Sequence, residues 1–232
     1  MNQKFLKSLL IFVAVLSFVS ASAQEKWTGI DRYAADNEKL MAAPADTARI
    51  VLLGNSITDF WPTRSPEFFK RHPQLVGRGI SGQTSHQMLV RFREDVVNLH
   101  PKAVVINCGT NDIAENHKIP YSEANTMGNI MSMVEIAKAN GIKVYLASVL
   151  PSKCMYWAPE KTNIADKVAS LNARIKAYAL QQGITYIDYY SSMVYGTERE
   201  LNPTYTKDGV HPTPDGYRLG MEPILQSALH LK

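Results

Sequence analysis

Ser56, Asp208 and His211 are the side chains of this chain whose types and spacing most suggest chemistry. A serine hydroxyl is a weak nucleophile until a base within hydrogen-bond reach takes its proton. His211 is the candidate base, because imidazole changes charge near neutral pH. Asp208 precedes it by three residues, so its carboxylate can fold back onto the imidazole, fix the tautomer and steady the imidazolium. A tetrahedral oxyanion also needs fixed donors. The backbone N–H groups of Ser56 and Gly82 and the side-chain amide of Asn111 can supply three, where one such donor is worth about 2.7–4 kcal/mol in enzymes that use them.

Each residue alone has an ordinary reading. Ser56 can cap the next helix, Gly82 can serve a turn, and Asn111 with Asp112 can form an Asx-turn. His211 and Asp208 can be solvated groups in a Pro-rich loop. The combination is what carries weight, because it contains every part of an acyl-transfer site.

The elements that must position these residues follow a regular alternation. Short apolar runs rich in β-branched residues at 49–53, 74–77, 103–107, 143–148 and 185–188 predict strands. Between them, Met88, Leu89, Phe92 and Val96 share a helical face. So do Met127, Ile130, Met131, Val134 and Ala137, in a helix starting after Ser122 and stopping at Asn140-Gly141. Ile164, Val168, Leu171, Ile175 and Tyr178 mark another helix. The last begins at Thr213-Pro214, and Pro223 must kink or restart it. Strands too apolar to face water, alternating with helices, predict an α/β fold with a parallel sheet covered on both sides. In such sheets sites form beyond the carboxyl ends of the strands, where Ser56, Gly82 and Asn111 fall.

The segments "GNSIT" at Ser56, "GISGQT" at Gly82, "GTNDI" at Asn111 and "DGVHP" at Asp208 and His211 stand in an order and spacing that resemble the SGNH hydrolases, also called GDSL-type lipases and esterases. The resemblance spans Gly54 to Pro212. It implies a three-layer α/β/α sandwich, flavodoxin-like, with a five-stranded parallel sheet. It also implies a serine esterase that needs no metal or cofactor. One position departs from the family pattern: Asn55 stands where the family usually has aspartate, and it is read as support for the turn with no catalytic role.

Other features bound the function. Residues 1–23 have a basic start, an apolar run and Ala21-Ser22-Ala23, the three-part form of a signal peptide cleaved after Ala23. Residues 24–232 are then one domain, exported and without stable membrane insertion, with 24–48 as an arm or helix on the outside. The formal charge of +4 includes Lys4 and Lys7, and no basic stripe argues for nucleic acid. Cys108 and Cys154 are expected to stay unpaired, Cys108 as a buried thiol. "GRGISG" matches a dinucleotide-binding pattern, but no acidic residue ends the following strand. The histidines form no close metal-ligand pair.

Export and the lack of an apolar lid favour short acyl esters, acetyl on carbohydrate first. A lysophospholipase or phospholipid-acetyl hydrolase is the runner-up, and a sugar-binding protein without turnover is the alternative of another class. Tyr156 and Trp157, in "PSKCMYWAPEKT", have rings suited to sugar faces and equally suited to packing within their own loop.

Overall fold

The computed structural model describes residues 27–43 and 48–231; the proposed signal segment lies outside them. Five strands, β1 (Ile50–Gly54), β2 (Leu75–Gly79), β3 (Ala103–Ile106), β4 (Lys143–Ala147) and β5 (Thr185–Ile187), form one parallel sheet in the order β2-β1-β3-β4-β5. This is the flavodoxin-like order, whose reversal point lies between β1 and β3. The registers are continuous there, with Leu53 opposite Arg78 on one side and Ile106 on the other. The ends of the first three strands therefore meet at one edge.

Side-chain alternation sorts the strands into two cores. Val51, Leu53, Val104, Ile106, Val144 and Leu146 pack under the helices Ser85–Val90, Glu123–Ala139 and Ile164–Gln181. Ile50, Leu52, Val105, Tyr145 and Ala147 pack under Trp61–Arg64, Pro66–Arg71, Tyr189–Met193 and Glu222–Leu229. Burial on both faces is why the strands read as unbroken apolar runs. Each fully buried aliphatic side chain contributes about 1.5–3 kcal/mol, against about 0.5–1.5 for a typical net hydrogen bond. The two apolar layers, more than the polar contacts of the rim, hold the strand ends in place.

Two helical expectations need adjustment and a third holds. Met131 is 38% exposed and Met133 fully buried instead, because at 100° per residue Met131 falls about 100° from the centre of the buried stripe. The Met88–Val96 stretch is two short helices, Ser85–Val90 and Phe92–Asp95, broken at Arg91, although Met88, Phe92 and Val96 are all fully buried. The last helical segment does start after Thr213, whose Oγ1 accepts from the Gly216 N–H at 3.2 Å. A π-helical stretch, Gly216–Met221, then leads into Glu222–Leu229. The wider turn accommodates the missing N–H of Pro223.

The N-terminal arm does more than lie on the outside. Its Thr28 carbonyl accepts from Gln83 Nε2 at 2.8 Å, its Trp27 carbonyl accepts from Gln87 Nε2 at 2.8 Å, and the Tyr33 hydroxyl donates to the Gly79 carbonyl. The arm is stitched to the end of β2 and to the loop and helix that follow it. Gly77 and Gly79 of the dinucleotide-like pattern lie within β2 itself. A Cβ on Gly79 would come within 2.1 Å of the Asp59 nitrogen, so glycine is needed for the chain after β1 to pass this close. Cys108 is buried just beyond β3, and Cys154 is exposed; neither is paired.

Candidate active site

The chain leaves β1 at Gly54 and enters a single helical turn, Ser56–Asp59. The residue that caps this turn is Asn55, whose Oδ1 accepts from the Ile57 N–H at 3.0 Å. The capping role is thus filled one residue early, and the Ser56 hydroxyl is left for another partner. It donates to His211 Nε2 at 2.9 Å. On the far side of the ring, Nδ1 lies 2.8 Å from Asp208 Oδ2. A carboxylate only accepts, so Nδ1 carries the proton and Nε2 has the lone pair that faces Ser56.

Asp208 is held by its own loop. Its Oδ1 accepts from the N–H groups of Val210 and His211 at 2.9 and 2.8 Å and from the Thr206 hydroxyl at 3.2 Å. Partial burial works against its charge, but the bonds from His211 and Val210 outweigh it and hold the carboxyl below its ordinary range. Asp112, in the helical turn Thr110–Ile113 that follows β3, is the reverse case. Burial dominates and raises its pKa in spite of bonds from the Ser85 N–H and hydroxyl and from Thr126. Its bonds are to Ser85 and Thr126, it is not among the residues that line the cleft with Ser56, and it is part of the scaffold.

Gly82 sits at φ +82°, in a region that only glycine enters freely. Asn111 opens toward the same space. One of its two amide hydrogens goes to the Gln83 carbonyl at 2.9 Å, which leaves the second for a ligand. Ser56, Gly82, Asn111, Tyr156, Trp157, Asp208 and His211 all line one cleft of about 440 Å3. The structure brings together every site residue that the sequence suggests.

It also adds some. Phe60 lies one helical turn after Ser56, with its ring 5.4 Å from that of His211; an aromatic at this spacing was legible. Arg64 stacks on Phe60 at 4.6 Å and donates to the Pro212 carbonyl at 2.6 Å. Ser81 and Asn116 complete the lining, and no local pattern marks Asn116. Tyr156 and Trp157 stand 6.2 and 6.1 Å from the His211 ring, centroid to centroid. Among the described residues no three His, Cys, Asp or Glu side chains cluster as metal ligands do.

Residues 52–219 match the GDSL-like Lipase/Acylhydrolase family. The chain belongs to that family. This acylhydrolase is 53% identical to a solved protein of Bacteroides fragilis assigned as an acylhydrolase, over 88% of this chain and 97% of that one, with a TM-score of 0.84. It is 50% identical to a GDSL-like lipase of Bacteroides thetaiotaomicron, over 88% and 98%, with a TM-score of 0.83. An acetylxylan esterase of Geobacillus stearothermophilus shares the fold alone, at 16% identity and a TM-score of 0.66 over 82% and 98%. Among curated proteins, the uncharacterized lipoprotein YqeF of Bacillus subtilis is 33% identical over 79 residues, and the match spans about a third of each chain. The acylhydrolase is an ester hydrolase, which sets aside the sugar-binding protein without turnover.

Proposed function

We propose that this acylhydrolase is an exported serine esterase that removes short acyl groups, acetyl first among them, from carbohydrates. The observation that carries the mechanism is the unbroken Ser56–His211–Asp208 hydrogen-bond chain, open to a cleft that Asn111 and Gly82 also line. His211 Nε2 takes the hydroxyl proton as Ser56 Oγ attacks the ester carbonyl. The oxyanion that forms is met by the Ser56 and Gly82 N–H groups and the second Asn111 hydrogen, donors fixed before the reaction begins. Imidazolium then gives its proton to the departing alcohol, and an acyl-Ser56 ester remains. Water, deprotonated by the same imidazole, returns the enzyme and releases the acid.

The substrate reading rests on the mouth of the cleft. Tyr156 is 58% exposed there, edge-on to Trp157, and the pair offers aromatic faces beside the nucleophile. Such rings with nearby polar groups suit a sugar leaving group. Export is read from the form of residues 1–23; no helix among the described residues is long and apolar enough to cross a membrane.

The test is a substrate panel of p-nitrophenyl acetate, acetylated xylo-oligosaccharides, acetylated sialic acid and lysophospholipids, run with wild type and Ser56→Ala. Turnover of the acetylated sugars that Ser56→Ala abolishes is the expected result. Selective turnover of the phospholipid overturns the substrate reading, and equal rates for the two proteins overturn the nucleophile. A mature N-terminus beginning at Gln24, read by intact mass after expression with the natural leader, tests export.

A further inference from the structure

We propose that Asn116 is a positioning residue that locks the oxyanion loop to the aromatic wall of the cleft, an inference that rests on the serine-esterase reading. Its Nδ2 donates to the Gly82 carbonyl at 3.0 Å, and its Oδ1 accepts from Trp157 Nε1 at 2.9 Å. One amide thus spans the cleft, joining the loop that carries the Gly82 donor to the ring that walls the substrate.

The backbone around it shows that this placement is imposed. Glu115, His117 and Lys118 all lie in the left-handed region, at φ 56°, 59° and 60°. Side chains of these types rarely adopt it, and such strained residues persist where the surrounding structure over-determines them. The Lys161 ammonium pairs with the Glu115 carboxylate and ties the strained turn to the loop beyond β4. Asn116 is held in the centre of this turn and aimed into the cleft.

The consequence for chemistry lies in the Gly82 peptide. Gly82, at φ +82°, joins two peptide planes, one carrying its N–H and the next its carbonyl, and without a side chain little but the bonds on those planes limits how they turn about its Cα. Neighbouring groups are pinned separately: the Ser81 hydroxyl and N–H by Asp59, and the Gln83 carbonyl by Asn111. Asn116 is the side chain that holds the Gly82 carbonyl itself. Without it the Gly82 N–H loses its aim at the oxyanion while ground-state binding is largely kept.

Asn116→Asp separates the two bonds, because a carboxylate still accepts from Trp157 but cannot donate to Gly82. With p-nitrophenyl acetate, kcat should fall about tenfold or more, a fraction of the loss when a donor is deleted outright, with KM within about threefold. Affinity for phenylboronic acid, whose boron becomes tetrahedral on Ser56 Oγ, should fall in parallel with kcat/KM. Trp157→Phe, which removes the indole donor and leaves the Gly82 bond, should lower kcat less. Asn116→Ala serves as the second variant, and circular dichroism establishes that each is folded.

A folded Asn116→Asp or Asn116→Ala that keeps kcat and boronate affinity within twofold overturns the proposal. So does a rise in KM at constant kcat, which would make Asn116 a substrate-contact residue. Ser56→Ala turning over as fast as wild type sinks the esterase mechanism and this inference together, and so tells the two failures apart.

Discussion

The two halves of the site are built on different principles. Ser56, Gly82 and Asn111 stand at the ends of three adjacent strands, over a buried polar network. Arg91 is wholly buried there and donates to the Gln83 side chain at 2.6 Å, to the Gly54 carbonyl at 3.0 Å and to Asp95 at 2.8 Å. Asp95 also takes a bond from Asn37 of the N-terminal arm at 2.7 Å. The Asp208–His211 half lies on a loop outside the sheet, and the bonds that hold the Asp208 carboxylate come from residues no more than three positions away. The aspartates of the two halves show the contrast: Asp112, in the strand-end scaffold, is pushed up by burial, and Asp208, wrapped by its own loop, is held down. The donors proposed to meet developing charge are fixed by the fold, whereas the proposed base is oriented by a short segment that carries its own partners.

That comparison can be broken from either side. Replacing His211 by alanine removes the base and should cost about 10⁶-fold in kcat, as removal of such a residue does elsewhere. Asp208→Asn keeps the loop but presents the wrong tautomer of His211, for a loss of about 10⁴-fold with the melting temperature little changed. On the strand-end side the currency changes. Arg91→Met leaves Asp95 buried without its partner and should destabilise the fold by about 3–5 kcal/mol in chemical denaturation. Activity below the unfolding transition should be much less affected than in the two loop variants. Asn111→Ala removes one oxyanion donor, with kcat reduced about 10²–10³-fold and KM little changed.

The smallest effect is in pH dependence, and its sign differs between the halves. Asp208 has a lowered carboxyl pKa in the fold, so its contribution is present above the ordinary carboxylate range and disappears as pH falls through the folded value. Asp112 has a raised one, so its contribution is greatest at low pH and shrinks as pH rises past the unfolded value. The stability difference between wild type and Asp208→Asn should therefore grow with rising pH, and that between wild type and Asp112→Asn should decline. Parallel trends in the two pairs would contradict the contrast.

How much of this was legible in the sequence follows the same division. Each strand of the parallel sheet was visible to within two residues of its observed ends, because burial on both faces leaves an unbroken apolar signature. The base loop was visible because its chemistry is local: Asp208 and His211 are three residues apart, and their contact needs no knowledge of the fold. Asn55 was read as turn support, and it caps the turn. Arg91 and Asp95 could not be found in this way. Their four-residue spacing also suits an exposed ion pair, and only the packing of the arm and the Gln83 loop puts them inside. Asn116 is invisible for a similar reason. Its partners, Gly82 and Trp157, are 34 and 41 residues away, and nothing near it repeats or alternates. The break at Arg91 was lost because the apolar face continues through it unbroken.

The most direct measurement of the central claim is covalent. Wild type, Ser56→Ala and His211→Ala are treated with diisopropyl fluorophosphate, and the site of modification is located by peptide mass mapping. The account predicts a single phosphoryl adduct on Ser56 in wild type, formed with loss of esterase activity. It predicts no adduct in Ser56→Ala and a greatly slowed one in His211→Ala. An adduct on another residue, or an unmodified wild type that still hydrolyses p-nitrophenyl acetate, would contradict it.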